Sequence, residues 1–268
     1  MASAAVETTS PPAGGASATV RVLKETLGAK VRKVEEFRGD LAITVSRDAW
    51  VKAAQTLRDH PELDYKLFLD ICGADYLDKE DREDRYEVVF HAYSVSKKHH
   101  VRLKTSCPEN DPKVPSLVRV YKGANWFERE AWDLYGIVFE GHPQLERLLT
   151  HDAFVGHPMR KDYPTAQRHV LKTPRQWLLK LPPGSENMVI NIGPSHPAMH
   201  GTFRVQALMD GETIVDAAAE LGYMHRNFEK MCEIRTYWQV IPYTDRLNYC
   251  SSFQNGHGWA LAVEKRLG

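Results

Sequence analysis

Tyr86-Glu87-Val88-Val89-Phe90-His91-Ala92-Tyr93-Ser94 is the stretch on which the fold turns. A run of this length, rich in branched and aromatic side chains, reads as a strand. Leu67–Cys72 before it and His100–Thr105 after it read the same way. The charged run Asp78–Arg85 fits the solvated loop of a hairpin, and Lys97-Lys98-His99-His100 fits a second solvated tip. Further out, Val31–Phe37 and Leu41–Val45 read as strands around an Arg38-Gly39-Asp40 turn. Arg47–Arg58 predicts a helix with Trp50, Ala53, Ala54 and Leu57 on one side. Val20–Leu27 predicts a short amphipathic helix ended by Gly28. Pro108, Pro112 and Pro115 mark a loop, and Ser116–Tyr121 and Trp126–Leu134 predict helix. The sum is an α+β domain over residues 19–140, an antiparallel sheet with helices on one face.

On either side the pattern changes. Residues 1–18 are Ala, Ser, Thr, Pro and Gly with Glu7 as the single charge, which predicts a disordered tail. It has neither the basic start and apolar centre of a secretory signal nor the arginines of a mitochondrial transit peptide. Over residues 141–187 periodicity fades and prolines multiply. Arg160, Lys161, Arg168, Lys172, Arg175 and Lys180 crowd there against Asp162. That composition predicts an extended basic arm docked on another surface, with a mobile linker as the alternative. Phe154, Tyr163 and Trp177 favour docking.

A second unit is expected over residues 188–268. Met188–Ile192 is strand-like, and Thr202–Met209 and Thr213–Ala219 flank Asp210-Gly211, a hairpin signal. Asn227–Trp238 and Ser251–Leu267 predict helices separated by a loop at Pro242. Two helices and a hairpin enclose little core, so the chain is expected to stop partway through a larger domain.

The 268 residues are 43% hydrophobic and 26% charged, as in a soluble globular protein. The 35 basic and 35 acidic side chains balance to zero, which points away from nucleic acid or an anionic membrane surface as a general partner. No apolar run is long enough for a spanning helix. Cys72, Cys107, Cys232 and Cys250 make no C-x-x-C pair, so reduced thiols in a cytosolic compartment are expected, with no metal site and no iron–sulfur cluster on this chain.

The chemistry concentrates in Asn191-Ile192-Gly193-Pro194-Ser195-His196-Pro197-Ala198-Met199-His200-Gly201. Gly193, Pro194, Pro197 and Gly201 forbid a regular helix, so two imidazoles stand on a stiff loop. An imidazole held in this way can hydrogen-bond a carbonyl and hand it a proton. Tyr249, on a separate segment, can grip the same oxygen or can be a core aromatic with its hydroxyl satisfied. His196 and His200 stand at a metal-ligand interval, but the prolines remove the helix that would align them.

Five stretches carry a resemblance. Trp126-Phe127-Glu128-Arg129-Glu130-Ala131-Trp132-Asp133-Leu134-Tyr135-Gly136-Ile137-Val138-Phe139-Glu140-Gly141-His142-Pro143, followed by Gly156-His157-Pro158-Met159-Arg160-Lys161-Asp162-Tyr163-Pro164, resembles the signature of the C subunit in the proton-pumping NADH:quinone oxidoreductase, respiratory complex I. Asn191–Gly201, Gly222-Tyr223-Met224-His225-Arg226-Asn227-Phe228-Glu229-Lys230 and Tyr243-Thr244-Asp245-Arg246-Leu247-Asn248-Tyr249 resemble the opening of the D subunit. The order is similar to the fused C/D subunit of some bacteria.

The resemblance implies a division of labour. The C subunit holds no cofactor and braces the hydrophilic arm. The D subunit packs against the B subunit, whose terminal iron–sulfur cluster feeds electrons to quinone between them. NADH and flavin act elsewhere in the complex, which translocates protons. His200 and Tyr249 match the pair that holds the quinone headgroup, and His196 is grouped with them, with loop packing as its alternative. Arg226 and Arg246 match residues near the partner's cluster, where a cation would stabilise the reduced form. Arg226 can instead pair with Glu229 or Glu233. Glu128, Arg129, Glu130, Asp133, Arg160, Lys161 and Asp162 are expected at contacts between subunits. The implied location is peripheral, on the cytoplasmic side of the bacterial inner membrane, with membrane contact only through the complex.

Two departures stand out: Asn227 replaces a usual glycine, which a left-handed turn tolerates, and Glu220 replaces a frequent histidine. The carboxylate partner of the quinone histidine would lie beyond Gly268, so the isolated chain is expected to be inactive. The large chain of a nickel–iron hydrogenase is the competing enzyme class, but that metal needs C-x-x-C thiolates, and here Cys250 stands alone after Tyr249. A purely structural fragment is the non-enzymatic alternative.

Overall fold

A computed structural model describes residues 14–167, 169–170, 179, 181, 183–197 and 201–268. Arg168, Lys172, Arg175, Trp177, Lys180, His200 and the first part of the expected tail lie outside the described residues. The chain divides into two compact units: residues up to Glu146 with Arg160–Tyr163, and Arg147–Met159 with Pro164–Gly268.

The first unit is built on a five-stranded sheet. Its strands are β1 (Val31–Phe37), β2 (Asp40–Val45), β3 (Leu67–Asp75), β4 (Tyr86–Ser94) and β5 (His99–Cys107), in the order β1-β2-β5-β4-β3. The sheet is mixed, not antiparallel as expected: β2 runs parallel to β5, with Leu41 opposite Val101 and Ile43 opposite Leu103. The connection between them contains a helix and two strands, ample for the crossover that a parallel pair requires.

Along β4 the period of two is clean from Val88 onward, while Glu87 is buried on the opposite face. Val88, Phe90 and Ala92 are buried on one face, and Val89, His91 and Tyr93 are half-buried on the other. The first face meets Leu23 of α1 (Gly14–Leu27) and Trp50 and Leu57 of α2 (Trp50–Asp59). The Trp50 ring stands edge-on to Phe90 at 6.4 Å. Each such side chain contributes roughly 1.5–3 kcal/mol by burial. α1 starts at Gly14, inside the stretch expected to be tail, and buried Thr19 meets the Tyr65 hydroxyl at 3.0 Å.

α3 (Ala124–Tyr135) buries Ala124, Glu128, Ala131 and Leu134, and stops at Gly136 in the left-handed conformation (φ 77°). It lies so close to β3 that a Cβ on Gly73 would fall 2.8 Å from the Tyr135 ring. The helix expected at 116–121 is absent. β6 (Lys113–Pro115) pairs in parallel with β7 (Val138–Glu140), and a tight turn follows, with Val120 and Tyr121 N–H bonded to the Leu117 carbonyl. The Glu128 carboxylate takes the Leu117 N–H at 2.6 Å and the Ser116 hydroxyl at 2.6 Å, which favours the turn.

Two solvated assignments also change. Arg85 is nearly buried: it pairs with Asp75 at 2.9 Å, Asp162 at 3.0 Å and Glu109. His99 packs on Tyr65 with its ring nitrogens buried, and His100 stacks on His91.

The second unit carries a three-stranded antiparallel sheet, order β10-β9-β8, from β8 (Met188–Ile192), β9 (Arg204–Asp210) and β10 (Thr213–Glu220). Gly193–Pro194 after β8 is a cis peptide. The helix expected at 227–238 is two: α4 (Phe228–Ile234) and α5 (Tyr237–Thr244). Thr236 caps α5 in a reciprocal pair with Gln239, so the break lies at 235–236 and Pro242 sits inside the helix. α6 (Ser252–Leu267) buries no residue. Among the described residues no helix is long and apolar enough to cross a membrane.

Candidate functional site

The β9–β10 hairpin decides where the loop at the second unit's candidate site begins. Its closing register pairs Arg204 with Glu220, and their side chains form an ion pair. The chain then turns through Gly222, which has φ 95°. A Cβ there would lie 2.1 Å from the Leu149 carbonyl oxygen, so the position admits only glycine. Asn227 ends the loop in the left-handed conformation (φ 53°) and donates its side-chain amide to the Pro158 carbonyl at 3.0 Å. The substitution for glycine is therefore held by a specific bond.

This loop walls a cavity of about 320 Å³. Its apolar surface comes from Phe203, Leu221, Met224, Phe228, Tyr243 and Leu247, and its polar groups include Arg226, Arg246 and Tyr249. The Arg226 guanidinium lies 4.6 Å over the Tyr243 ring, with Arg235 at 5.9 Å from the same ring. Arg246 donates to the Pro242 carbonyl at 3.1 Å. The Tyr249 backbone is fixed where the Ser252 hydroxyl donates to its carbonyl at 2.9 Å. Its side chain is 46% exposed, and its hydroxyl has no hydrogen-bond partner among the described residues. Apolar walls suit a flat ring, two guanidiniums supply positive potential, and a phenol supplies a proton to an oxygen.

Of the expected site residues, the structure brings Tyr249, Arg226 and Arg246 to one cavity. His196 is exposed and does not line it. His200 lies outside the described residues, while Gly201, Thr202 and Phe203 line the cavity. Sequence reasoning missed Tyr243 as the platform for Arg226, and Leu149 as a wall. A second cavity, of about 380 Å³, shares Leu149, Leu221, Gly222 and His225 with the first and adds His151, Glu220 and Tyr223.

The expected contact residues of the first unit separate into two groups. Glu128 and Asp133 are wholly buried, so their expected place at a contact with another subunit is corrected: they face their own core. Burial pushes the Glu128 carboxyl up to about 7, against the opposing hydrogen bonds from Ser116 and Leu117. Arg129 donates to the Glu146 carbonyl at 3.1 Å, and Glu130 is half-buried. Arg160 donates to the Tyr135 carbonyl at 2.6 Å and lies over Tyr86. The Lys161 N–H donates to Asp75 at 2.8 Å, and Asp162 reaches Arg85. This part of the arm is clasped to the first unit.

Residues 43–169 match the family described as respiratory-chain NADH dehydrogenase, 30 Kd subunit. The chain is 44% identical over 258 residues to the C/D subunit of the NADH-quinone oxidoreductase of Bdellovibrio bacteriovorus, covering 92% of this chain and 45% of that protein. It is 38% identical over 240 residues to the protein of the same name from Methylococcus capsulatus, covering 81% and 41%. A solved structure, the trypsin-resistant fragment of Nqo5, is 30% identical and covers 47% of this chain and 98% of that one, with a TM-score of 0.41. The chain spans a little under half the length of the curated relatives it matches. With the match to the first unit and an identity that runs through both, the chain belongs to the family of fused C/D subunits of NADH-quinone oxidoreductase.

Proposed function

We propose that the chain serves a proton-translocating NADH:quinone oxidoreductase as two joined parts with different tasks. The first unit braces the hydrophilic arm, with Arg129 and Glu130 at its contacts with neighbouring subunits. The second unit forms the quinone-reduction site together with the B subunit. Tyr249 donates its hydroxyl proton to a quinone carbonyl oxygen, and His200 holds the headgroup from the 191–201 loop, with His196 beside it. A cluster held by the partner subunit would supply the two electrons one after the other, while His200 and Tyr249 pass the two protons that complete the quinol. Arg226 and Arg246 bring positive charge to the side where electrons arrive. NADH and flavin work in other subunits, and this chain sits peripherally on the cytoplasmic side of the bacterial inner membrane, meeting the membrane only through the complex.

One observation carries this reading. Arg226, Arg246 and Tyr249, from two separate segments, line the same apolar-walled cavity. The curated relatives bear the oxidoreductase name, so the hydrogenase alternative is not favoured.

The test is Tyr249→Phe in the full-length, assembled complex. Loss of a general acid should lower quinone reduction by about 100-fold while NADH still reduces the clusters. Unchanged turnover refutes the role.

A further inference from the structure

We infer that Glu220 is a positioning residue for the Tyr249 cavity, acting with Arg204 and Tyr223 to set the loop that carries Arg226. The inference rests on the quinone reading and adds to it the device that shapes the pocket wall.

Glu220 is the last residue of β10 and only 5% exposed. Its carboxylate pairs with Arg204 across the hairpin and accepts the Tyr223 hydroxyl at 2.6 Å. A buried carboxylate between a guanidinium and a phenol is a fixed point, because each bond holds it in a defined direction. The Tyr223 bond reaches three residues into the loop and ties it back to the sheet. Gly222, between the two, is pressed against the Leu149 backbone, and Asn227 closes the far end on the Pro158 carbonyl. Between these anchors stand Met224, His225 and Arg226, all on the wall of the Tyr249 cavity.

Glu220 and Tyr223 do not line that cavity; they line the neighbouring one. Their influence on a bound quinone must therefore pass through the loop. Releasing the Tyr223 tether lets the first half of the loop move and shifts Arg226 relative to Tyr243 and Tyr249. That alters how well the headgroup is held, without removing any group that touches it.

The test uses the full-length, assembled complex and a short-chain ubiquinone analogue. Tyr223→Phe removes one hydroxyl and keeps the ring. It should raise KM for the quinone about 5-fold with kcat within about 2-fold of the parent. Glu220→Gln keeps an acceptor for Tyr223 but loses the charge opposite Arg204, and it should shift KM in the same direction. The double variant should be no worse than the more affected single one, since both act through one anchor. Parent-like KM in both single variants overturns the inference. So does activity that falls only in step with the amount of assembled complex, at unchanged KM, for that is a scaffold role. Tyr249→Phe run in parallel separates the two readings. If it abolishes turnover while both single variants leave KM alone, only the anchor fails. If it leaves turnover intact, the quinone site fails and the anchor with it.

Discussion

The two units treat their aromatic residues in opposite ways. In the first, Trp50, Phe90, Tyr65 and Tyr86 are fully buried around one sheet face. In the second, Trp238 is 78% exposed, Phe253 is 96% exposed, and α6 buries nothing. The first unit encloses a large core, leaving Phe37 and Trp126 outside it, and its buried acids, Glu128 and Asp133, lie within that core. The second keeps Tyr249, Arg226 and Arg246 at a cavity wall. Packing that completes itself leaves little to offer a ligand or a partner; packing that does not complete itself leaves chemistry accessible.

The sharpest way to break this contrast is Phe90→Ala. Removing the ring that meets Trp50, Phe68 and Tyr121 should cost about 3–5 kcal/mol, read as a lower denaturant midpoint for the first unit alone. If the transition of the second unit fell equally, the two units would not be independent. Arg85→Met comes next. It strands the fully buried Asp75 carboxylate, and breaking such a pair costs about 3–4 kcal/mol. It also removes the Asp162 anchor of the Arg160–Tyr163 segment, so limited proteolysis there should become faster.

Glu128→Gln sharpens the comparison through pH. The folded carboxyl, raised to about 7 by burial, keeps a proton that the unfolded chain releases in the ordinary carboxylate range. Its contribution is full at low pH and is lost as pH rises through the folded value, at most about 3 kcal/mol over that window. Denaturation from pH 5 to 8 should show the parent losing stability relative to the variant. A parallel pair of curves would mean that the carboxyl is not buried as described. The smallest effect is expected in the second unit: Phe253→Ser should change stability by less than about 0.5 kcal/mol, measured by the same midpoints. A large loss would mean that α6 is packed after all.

Much of the first unit is legible because each signal is local. β4 matches the expected strand at both ends, and its alternation holds from Val88 to Ser94. What fails depends on partners distant in sequence. Leu117 turns instead of entering a helix because Glu128 holds its amide. Arg85 reads as solvated because Asp75 and Asp162 lie on other segments. The α4–α5 break is readable in principle, for Thr236-x-x-Gln239 is a capping signal, but Pro242 is the louder local mark of a loop. The candidate site is legible chiefly through the resemblance. Periodicity carries no sign that Tyr243 would support Arg226 or that Gly222 would be pressed against Leu149.

The parallel seam between β2 and β5 has a consequence for biosynthesis. β1–β2 and β3–β4–β5 are each joined by nearest-neighbour hairpins, but β2 has no partner on its inner edge until β5 has been made. A nascent chain therefore carries an uncovered ribbon of Leu41, Ile43 and Val45 while more than half of the first unit is still to be translated. Unpaired apolar edges invite intermolecular pairing, and long-range closure is slow. During that interval the open edge of β2 is a site where another chain can pair.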